Sequence, residues 1–257
     1  QADVVVNATQ GDRTSVETAR ATTPTPTIRP AATAFTPPNA DPRLEANLTD
    51  LQILESNTSA YNIRIPAIAV ASNGDILASY DLRPTNGAWN GGDSPNENSI
   101  VQRRSTDGGK TWGPMTVIAE GKVAPAGERY GWSDPSYVVD YTTGEIFNFH
   151  VGSLDAGLPN GPGYRVDENG NVDETYRKTM NFALTSSTDN GYTWSSRIIT
   201  NEVLGARAAQ LDGCFATSGA GIQKMHEPYK GRLLQQAACR VKGSTFQAIT
   251  IYSDDHG

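Results

Sequence analysis

An arginine inside an apolar run is the first residue of this chain that could do chemistry. Arg64 lies within YNIRIPAI, residues 61–68. A guanidinium is costly to bury without an anionic partner, and it binds a carboxylate through two parallel hydrogen bonds. The residues alone leave two interpretations open: Arg64 reaches solvent from a strand end, or it binds a carboxylate.

Acidic residues follow soon after, in loops at the ends of predicted strands, where binding groups concentrate. Asp81 and Arg83 follow the strand that ends at Tyr80, and Asp93 lies in the polar, glycine-rich loop GAWNGGDSPN, residues 87–96. Asp93 is either simply solvated or a proton donor whose pKa rises when the loop closes over a substrate.

Two aromatic residues flank a third acid in YGWSDPSY, residues 130–137. Asp134 either completes a turn as its Asx residue, or joins Trp132 in a binding wall. An aromatic face beside a single carboxylate suits a sugar, which has both an apolar and a polar edge.

A repeated motif indicates the elements that hold these residues. STDGGKTW (105–112) recurs as STDNGYTW (187–194), and SDDHG (253–257) begins a third copy. We expect Asp107 and Asp189 to accept backbone hydrogen bonds within their own turns, and Asp255 is the structural aspartate of the third copy. Gly109 and Gly191 supply the positive φ of a tight turn. We call these copies boxes 1, 2 and 3 and assign them a structural role.

Short strands separated by Gly, Asn, Asp and Pro make residues 46–257 nearly all β. The predicted strands are 61–70, 75–80, 99–104, 136–140, 145–151, 180–185, 197–200, 221–224, 232–238 and 246–253. Many short strands with a recurring turn favour a β-propeller, of which about four blades at most would fit. We expect this propeller to be incomplete, with the third box cut before its Thr-Trp. Residues 1–45, rich in Thr, Pro and Ala, are predicted to be an extension or linker.

Composition narrows the possible partners. The net charge of −7 argues against nucleic acid, and no apolar run of about 18 residues predicts a membrane span. His150, His226 and His256 lack metal-ligand spacing, so we expect neither a metal nor a cofactor. Cys214 and Cys239 are either one disulfide or two buried thiols.

Together, the Arg-Ile-Pro motif at Arg64 and the Asp box some forty residues later resemble the bacterial-type exo-α-sialidases (neuraminidases). The resemblance runs from about Asn47 to Gly257 and implies the N-terminal part of a six-bladed propeller. It implies that Arg64 binds the sialic acid carboxylate and that Asp93 is the acid/base, with Asp81 as the less favoured alternative for the acid. It further implies that Arg83 and Asp134 face the 4-hydroxyl of the sugar, and that Trp132 lines the N-acetyl pocket.

The family's tyrosine nucleophile, its glutamate partner and two further arginines have no counterpart in this chain, so we expect the 257 residues alone to be inactive. The resemblance implies a secreted or cell-surface hydrolase acting on sialylated glycans, glycoproteins and gangliosides. Its propeller would be completed by a C-terminal remainder, which could be a second chain. Two alternatives stay open: a sialic-acid-binding propeller without turnover, and an unrelated Asp-box scaffold that binds protein.

Overall fold

The computed structural model describes residues 3–5, 52–87, 90–157 and 162–257 of the chain. Nearly all regular structure there is β. The strands are β1 (Asp3–Val5), β2 (Tyr61–Val70), β3 (Ile76–Pro84), β4 (Ser99–Ser105), β5 (Thr116–Ala119), β6 (Lys122–Val123), β7 (Arg129–Val139), β8 (Ile146–Ser153), β9 (Met180–Ser187), β10 (Ser195–Ile198), β11 (Leu211–Ala216), β12 (Gly219–Ala220), β13 (Ile222–Gln223), β14 (Leu233–Val241) and β15 (Phe246–Ser253).

The strands form three successive sheets, each a blade of a propeller. Blade 1 has the order β2-β3-β4-β5, blade 2 the order β10-β9-β8-β7-β12, and blade 3 the order β1-β15-β14-β11. Neighbouring long strands within each blade run antiparallel, whereas β12 crosses over to pair parallel with β7. The prediction of an all-β, propeller-type fold is therefore confirmed.

The predicted strand bounds agree best with the structure for two strands, β2 and β15. The predicted strands 61–70 and 246–253 match β2 and β15 residue for residue. Sequence reasoning missed β5 and β11. It also extended a strand to Thr200, which begins the short helix α1 (Thr200–Leu204), followed by a 3-10 turn over Gly205–Gln210. Within the described part of the chain, no helix is long and apolar enough to cross a membrane.

Each box closes its turn with its own side chains, as predicted. In box 1, the backbone N–H of Thr111 donates to Asp107 Oδ1 at 2.9 Å and its hydroxyl donates to Oδ2 at 2.6 Å. In box 2, Thr193 repeats both contacts with Asp189 at the same distances. Gly109 and Gly191 have φ of 88° and 80°. In box 3, Ser253 donates to Asp255 at 2.7 Å, so the aspartate of every box accepts a hydrogen bond within its own turn.

The second and third boxes also contact the blade that precedes them. Arg104 and Gln102 of blade 1 donate to the carbonyl oxygens of Asn190 and Gly191 in box 2, at 2.8 and 3.1 Å. His256 of box 3 is hydrogen-bonded through Nδ1 to Asp140 Oδ2 of blade 2 at 2.7 Å. The boxes therefore join consecutive blades as well as consecutive strands.

The largest apolar core fills the space between blades 2 and 3. It includes Phe182, Leu204, Leu211 and Ile249, and it surrounds a disulfide between Cys214 and Cys239. These cysteines lie directly opposite each other on β11 and β14. The structure thus decides between the two states that the sequence left open, in favour of the disulfide.

Most of the predicted extension, residues 1–45, lies outside the described residues. Its strand β1 pairs antiparallel with β15, with Val4 opposite Ile251. Where blades 1 and 2 carry β5 and β10 after their boxes, blade 3 carries β1 as its outer strand. The assignment of 1–45 as a linker stays a prediction.

Candidate active site

Arg64 lies at a break in the pairing of β2 with β3. The register shifts between Arg64 and Ala67, and Ile65 has a φ of 55°. A β-branched residue in the left-handed region is strained, and bulges of this kind are frequent beside active sites, where they re-aim a side chain. The side chain of Arg64 is 52% exposed, so it can meet a ligand from solvent.

Arg83 lies on β3 and is 1% exposed, next to Asp81, which is 0% exposed. Because alternate residues of a strand share one face, the two side chains point the same way. Arg83 donates from Nε and Nη2 to Asp81 Oδ2 at 3.0 and 2.7 Å. Burial opposes the charge on Arg83, but Asp81 and Asp93 together raise its pKa above the ordinary value. Burial raises the pKa of Asp81 to about 7, although the neighbouring guanidinium acts to lower it.

Asp93 bridges the two arginines from the loop between β3 and β4. Its Oδ1 accepts a hydrogen bond from Nη1 of Arg83 and lies 3.7 Å from Nη1 of Arg64. Its side chain is 77% exposed. Asp93 is thus accessible to a ligand, whereas Asp81 is fully buried and cannot transfer a proton to a ligand at the surface.

Asp134 reaches the same place from β7 of blade 2. The register of β7 shifts between Ser133 and Ser136, and Asp134 has a φ of 65°. Its backbone N–H donates to Asp81 Oδ1 at 2.9 Å. Burial raises the pKa of the Asp134 carboxyl; Arg83 lowers it, and the negative charge of Asp93 adds to the rise.

A buried amide cluster fixes the loop that carries Asp93. Asn98 donates from Nδ2 to the carbonyl oxygen of Gly92 at 3.3 Å and to Ser133 Oγ at 2.9 Å. Asn96 donates to Asn98 Oδ1 at 2.8 Å. Both asparagines are fully buried, and the cluster connects the loop of blade 1 to β7 of blade 2.

Among the described residues, the side chain of Trp132 makes no hydrogen bond to Arg64, Arg83, Asp93 or Asp134, although its backbone N–H donates to the carbonyl oxygen of Asn98 at 2.9 Å. Its indole N–H donates to the carbonyl oxygen of Glu120 at 2.8 Å, and its ring meets buried His150 edge-on at 5.5 Å. Burial lowers the pKa of His150 to about 4. The indole lines a cavity of about 350 Å³ with Tyr130 and Asn181. Its assignment to an N-acetyl pocket stays a prediction.

The structure therefore brings together Arg64, Arg83, Asp93 and Asp134 from two blades. Asp81 lies at their centre. The sequence indicated Asp81 only as an alternative acid and gave no prediction of this central position. The spacing of Asp81 and Arg83 on a strand was the available signal, because residues i and i+2 lie on one face. The set presents one half-exposed cation, one accessible acid and a buried ion pair, which together suit an anionic sugar.

Comparison with known proteins gives a consistent result. No family model matches the chain. The sialidase of Micromonospora viridifaciens is 46% identical over 201 residues, which cover 76% of this chain and 28% of that protein. A sialidase of Bacteroides fragilis is 33% identical over 158 residues, covering 58% of this chain and 26% of the relative. The chain thus spans roughly a quarter of the length of these curated relatives.

Solved structures agree on the fold. The Hadza microbial sialidase Hz136 superposes with a TM-score of 0.61 at 27% identity, covering 77% of this chain and 36% of that one. An intramolecular trans-sialidase from Ruminococcus gnavus, solved with oseltamivir carboxylate, gives a TM-score of 0.62 at 18% identity over 78% of this chain and 60% of its own. The second likeness concerns the fold alone. The chain belongs to the bacterial sialidase family and forms part of its β-propeller.

Proposed function

We propose that the protein containing this chain is an exo-α-sialidase, which releases terminal α-linked sialic acids from glycoconjugates. The observation that carries the proposal is the convergence of Arg64, Arg83, Asp93 and Asp134 at the adjoining ends of blades 1 and 2. Sialidases among the relatives support the same activity. Residues 46–257 would then be part of the catalytic propeller.

In this proposal Arg64 binds the carboxylate of the sugar. Its guanidinium is half-exposed, and its acidic partner is Asp93, whose Oδ1 lies 3.7 Å from Arg64 Nη1, a distance longer than a hydrogen bond. A substrate carboxylate can make the closer, two-pronged contact that a guanidinium favours. The Arg64–Asp93 contact would give way to it.

The same event prepares Asp93 as an acid. A carboxylate that arrives on Arg64 adds a like charge near Asp93 and takes up part of its cationic support. Asp93 would then act as the general acid that protonates the glycosidic oxygen of the leaving group. Arg83 and Asp134 would hold the 4-hydroxyl side of the sugar.

The covalent step is assigned to residues that lie outside this chain. Sialidases are the glycosidases whose nucleophile is a tyrosine. A neutral phenol avoids the repulsion that a carboxylate nucleophile would meet from the anionic substrate. We propose a retaining reaction in which the remainder of the propeller supplies this tyrosine, its glutamate partner and two further arginines. The 257 residues alone would bind weakly and not turn over.

Sialylated glycans, glycoproteins and gangliosides are the proposed substrates, and the proposed location is extracellular. The disulfide between Cys214 and Cys239 supports this location, because disulfides persist in oxidising compartments.

The decisive experiment measures ligand binding and turnover in the natural full-length protein with Arg64→Ala. Affinity for a carboxylate-bearing sialic acid analogue should fall more than tenfold, about 1.4 kcal/mol or more. The matched control is Arg103→Ala, since Arg103 pairs with Glu55 on the same blade, away from the site, and its affinity should be unchanged. Unchanged affinity in Arg64→Ala refutes the assignment. Binding without turnover in the unaltered protein would favour the non-catalytic alternative.

A further inference from the structure

Arg83 and Asp134 of the candidate site both hydrogen-bond to one carboxylate, Asp81, that no ligand can reach. Asp81 has no exposed surface. Its Oδ2 accepts two hydrogen bonds from Arg83, and its Oδ1 accepts the backbone N–H of Asp134. Its Cα lies opposite that of Arg64 in the pairing of β2 with β3. Both irregular strand segments of the site therefore adjoin Asp81.

We propose that Asp81 is a positioning residue, which holds the Arg83 guanidinium and the Asp134 backbone in the geometry that recognises the hydroxyl side of the sugar. This proposal rests on the proposed sialidase function for the identity of the ligand. Asp81 touches no substrate in this arrangement and acts through its two partners.

The two carboxylate oxygens of Asp81 have different partners. Because Oδ2 takes both Nε and Nη2 of Arg83, the guanidinium has a fixed plane, and its remaining nitrogen, Nη1, points to Asp93. Because Oδ1 takes the N–H of Asp134, it stabilises the left-handed backbone at 65°, which would otherwise be costly for a residue with a side chain. One carboxylate thus sets the orientation of groups from two blades.

An uncharged substitute can replace half of this role. In Asp81→Asn, the amide oxygen can still accept a hydrogen bond from the Asp134 N–H. The amide N–H₂ would face Arg83, and because both groups are donors they cannot form a hydrogen bond with each other. The guanidinium would then be left buried and loosely held, while the fold around Asp134 is largely retained. The variant therefore separates positioning of Arg83 from general support of the strand.

The chain offers a matched control in the same sheet. Asp75 is buried and pairs with Arg104 at 2.6 Å, outside the candidate site. Asp75→Asn removes the same kind of ion pair from blade 1. It should lower stability and leave ligand preference as it is.

The test is a double-mutant cycle in the natural full-length protein, with Asp81→Asn, Arg83→Ala and both together. The ligands are a sialic acid analogue and its 4-deoxy counterpart. Each single variant should lose at least tenfold in preference for the 4-hydroxyl compound, and the double variant should lose no more than Arg83→Ala alone. Additive losses, or an unchanged preference in Asp81→Asn, would overturn the proposal.

A second measurement keeps the inference independent of the ligand and of the variant's folding. In the unaltered protein, NMR should find an Arg83 Nε–H that exchanges with water at least a hundredfold more slowly than that of Arg64, which is half-exposed. Equal exchange rates would show that Asp81 does not hold the guanidinium. If Arg83 is held but no sialic acid binds, the proposed function fails and the positioning role stands.

Discussion

Aspartates serve opposite purposes in two regions of this molecule. In box 1, the hydroxyl and backbone N–H of Thr111 hold the pKa of Asp107 at about 2, and Thr193 acts likewise to lower the pKa of Asp189. In the candidate site, burial raises the pKa of Asp81 to about 7 and also raises that of Asp134. The box carboxylates complete a turn with nearby donors, whereas Asp81 and Asp134 are removed from water and lie beside the same cation, Arg83. A box carboxylate therefore stabilises its own turn, and the buried carboxylates of the candidate site hold groups that come from different strands.

The largest effect that tests this contrast is on turnover. Asp93→Ala in the natural full-length protein should lower turnover of sialosides with poor leaving groups about a thousandfold, because proton donation to the leaving group is lost. Substrates with good leaving groups should lose much less. The exposed side chain of Asp93 predicts little change in thermal stability.

Asp189→Ala alters a box instead of the candidate site. It should lower the melting temperature, since Thr193 loses its acceptors, and leave turnover per folded molecule intact. If Asp93→Ala lowers turnover equally for good and poor leaving groups, the acid lies elsewhere. If Asp189→Ala impairs turnover of the folded protein, the two regions are not separate in function.

The next effect compares two glycines at the same position of their boxes. Alanine at Gly191 would bring its Cβ within 2.9 Å of Leu77 and 3.1 Å of Trp194, whereas at Gly109 the nearest atom is 3.7 Å away on Ile76. Both positions carry the cost of a positive φ. Gly191→Ala should therefore cost about 3 kcal/mol, from backbone strain and overpacking together. Gly109→Ala should cost about 1 kcal/mol from strain alone.

Urea unfolding of the two variants measures this difference. Equal losses would show that box 2 is no more tightly packed against blade 1 than box 1 is against its own strand.

The two regions should also differ in how their stability depends on pH. The folded pKa of Asp81, about 7, exceeds the unfolded value of about 3.9. The folded state therefore retains a proton that the unfolded chain has lost, and stability falls as pH rises from about 4 to 7. Replacing Asp81 with Asn removes this slope of at most about 1.4 kcal/mol per pH unit.

The boxes should respond with the opposite sign. Their depressed pKa values stabilise the fold above pH about 4, and this stability is lost as pH falls towards 2. Asp107→Asn with Asp189→Asn should flatten that acid limb. Thermal melts of both variants across pH 2–8 distinguish the two slopes, and slopes of one sign in both regions would contradict the contrast.

The contrast also explains how far the sequence could be interpreted. The boxes were predictable because each one forms its hydrogen bonds within eight residues, as Asp107 and Thr111 do. The contacts of Asp81 with Arg83 are local too, but its contact with Asp134 spans 53 positions and depends on how blades 1 and 2 meet. Strand β11 was missed for a similar reason, because its pairing with β14 across the disulfide is set by partners elsewhere in the chain.

Box 2 accepts hydrogen bonds from Arg104 and Gln102 of blade 1. A defect in box 2 would therefore remove support from the blade that precedes it in the chain. Hydrogen exchange should then show β4 opening when box 2 is weakened, with β14 still protected. Such coupling would make the order of the last long strand of blade 1 depend on a turn that belongs to blade 2.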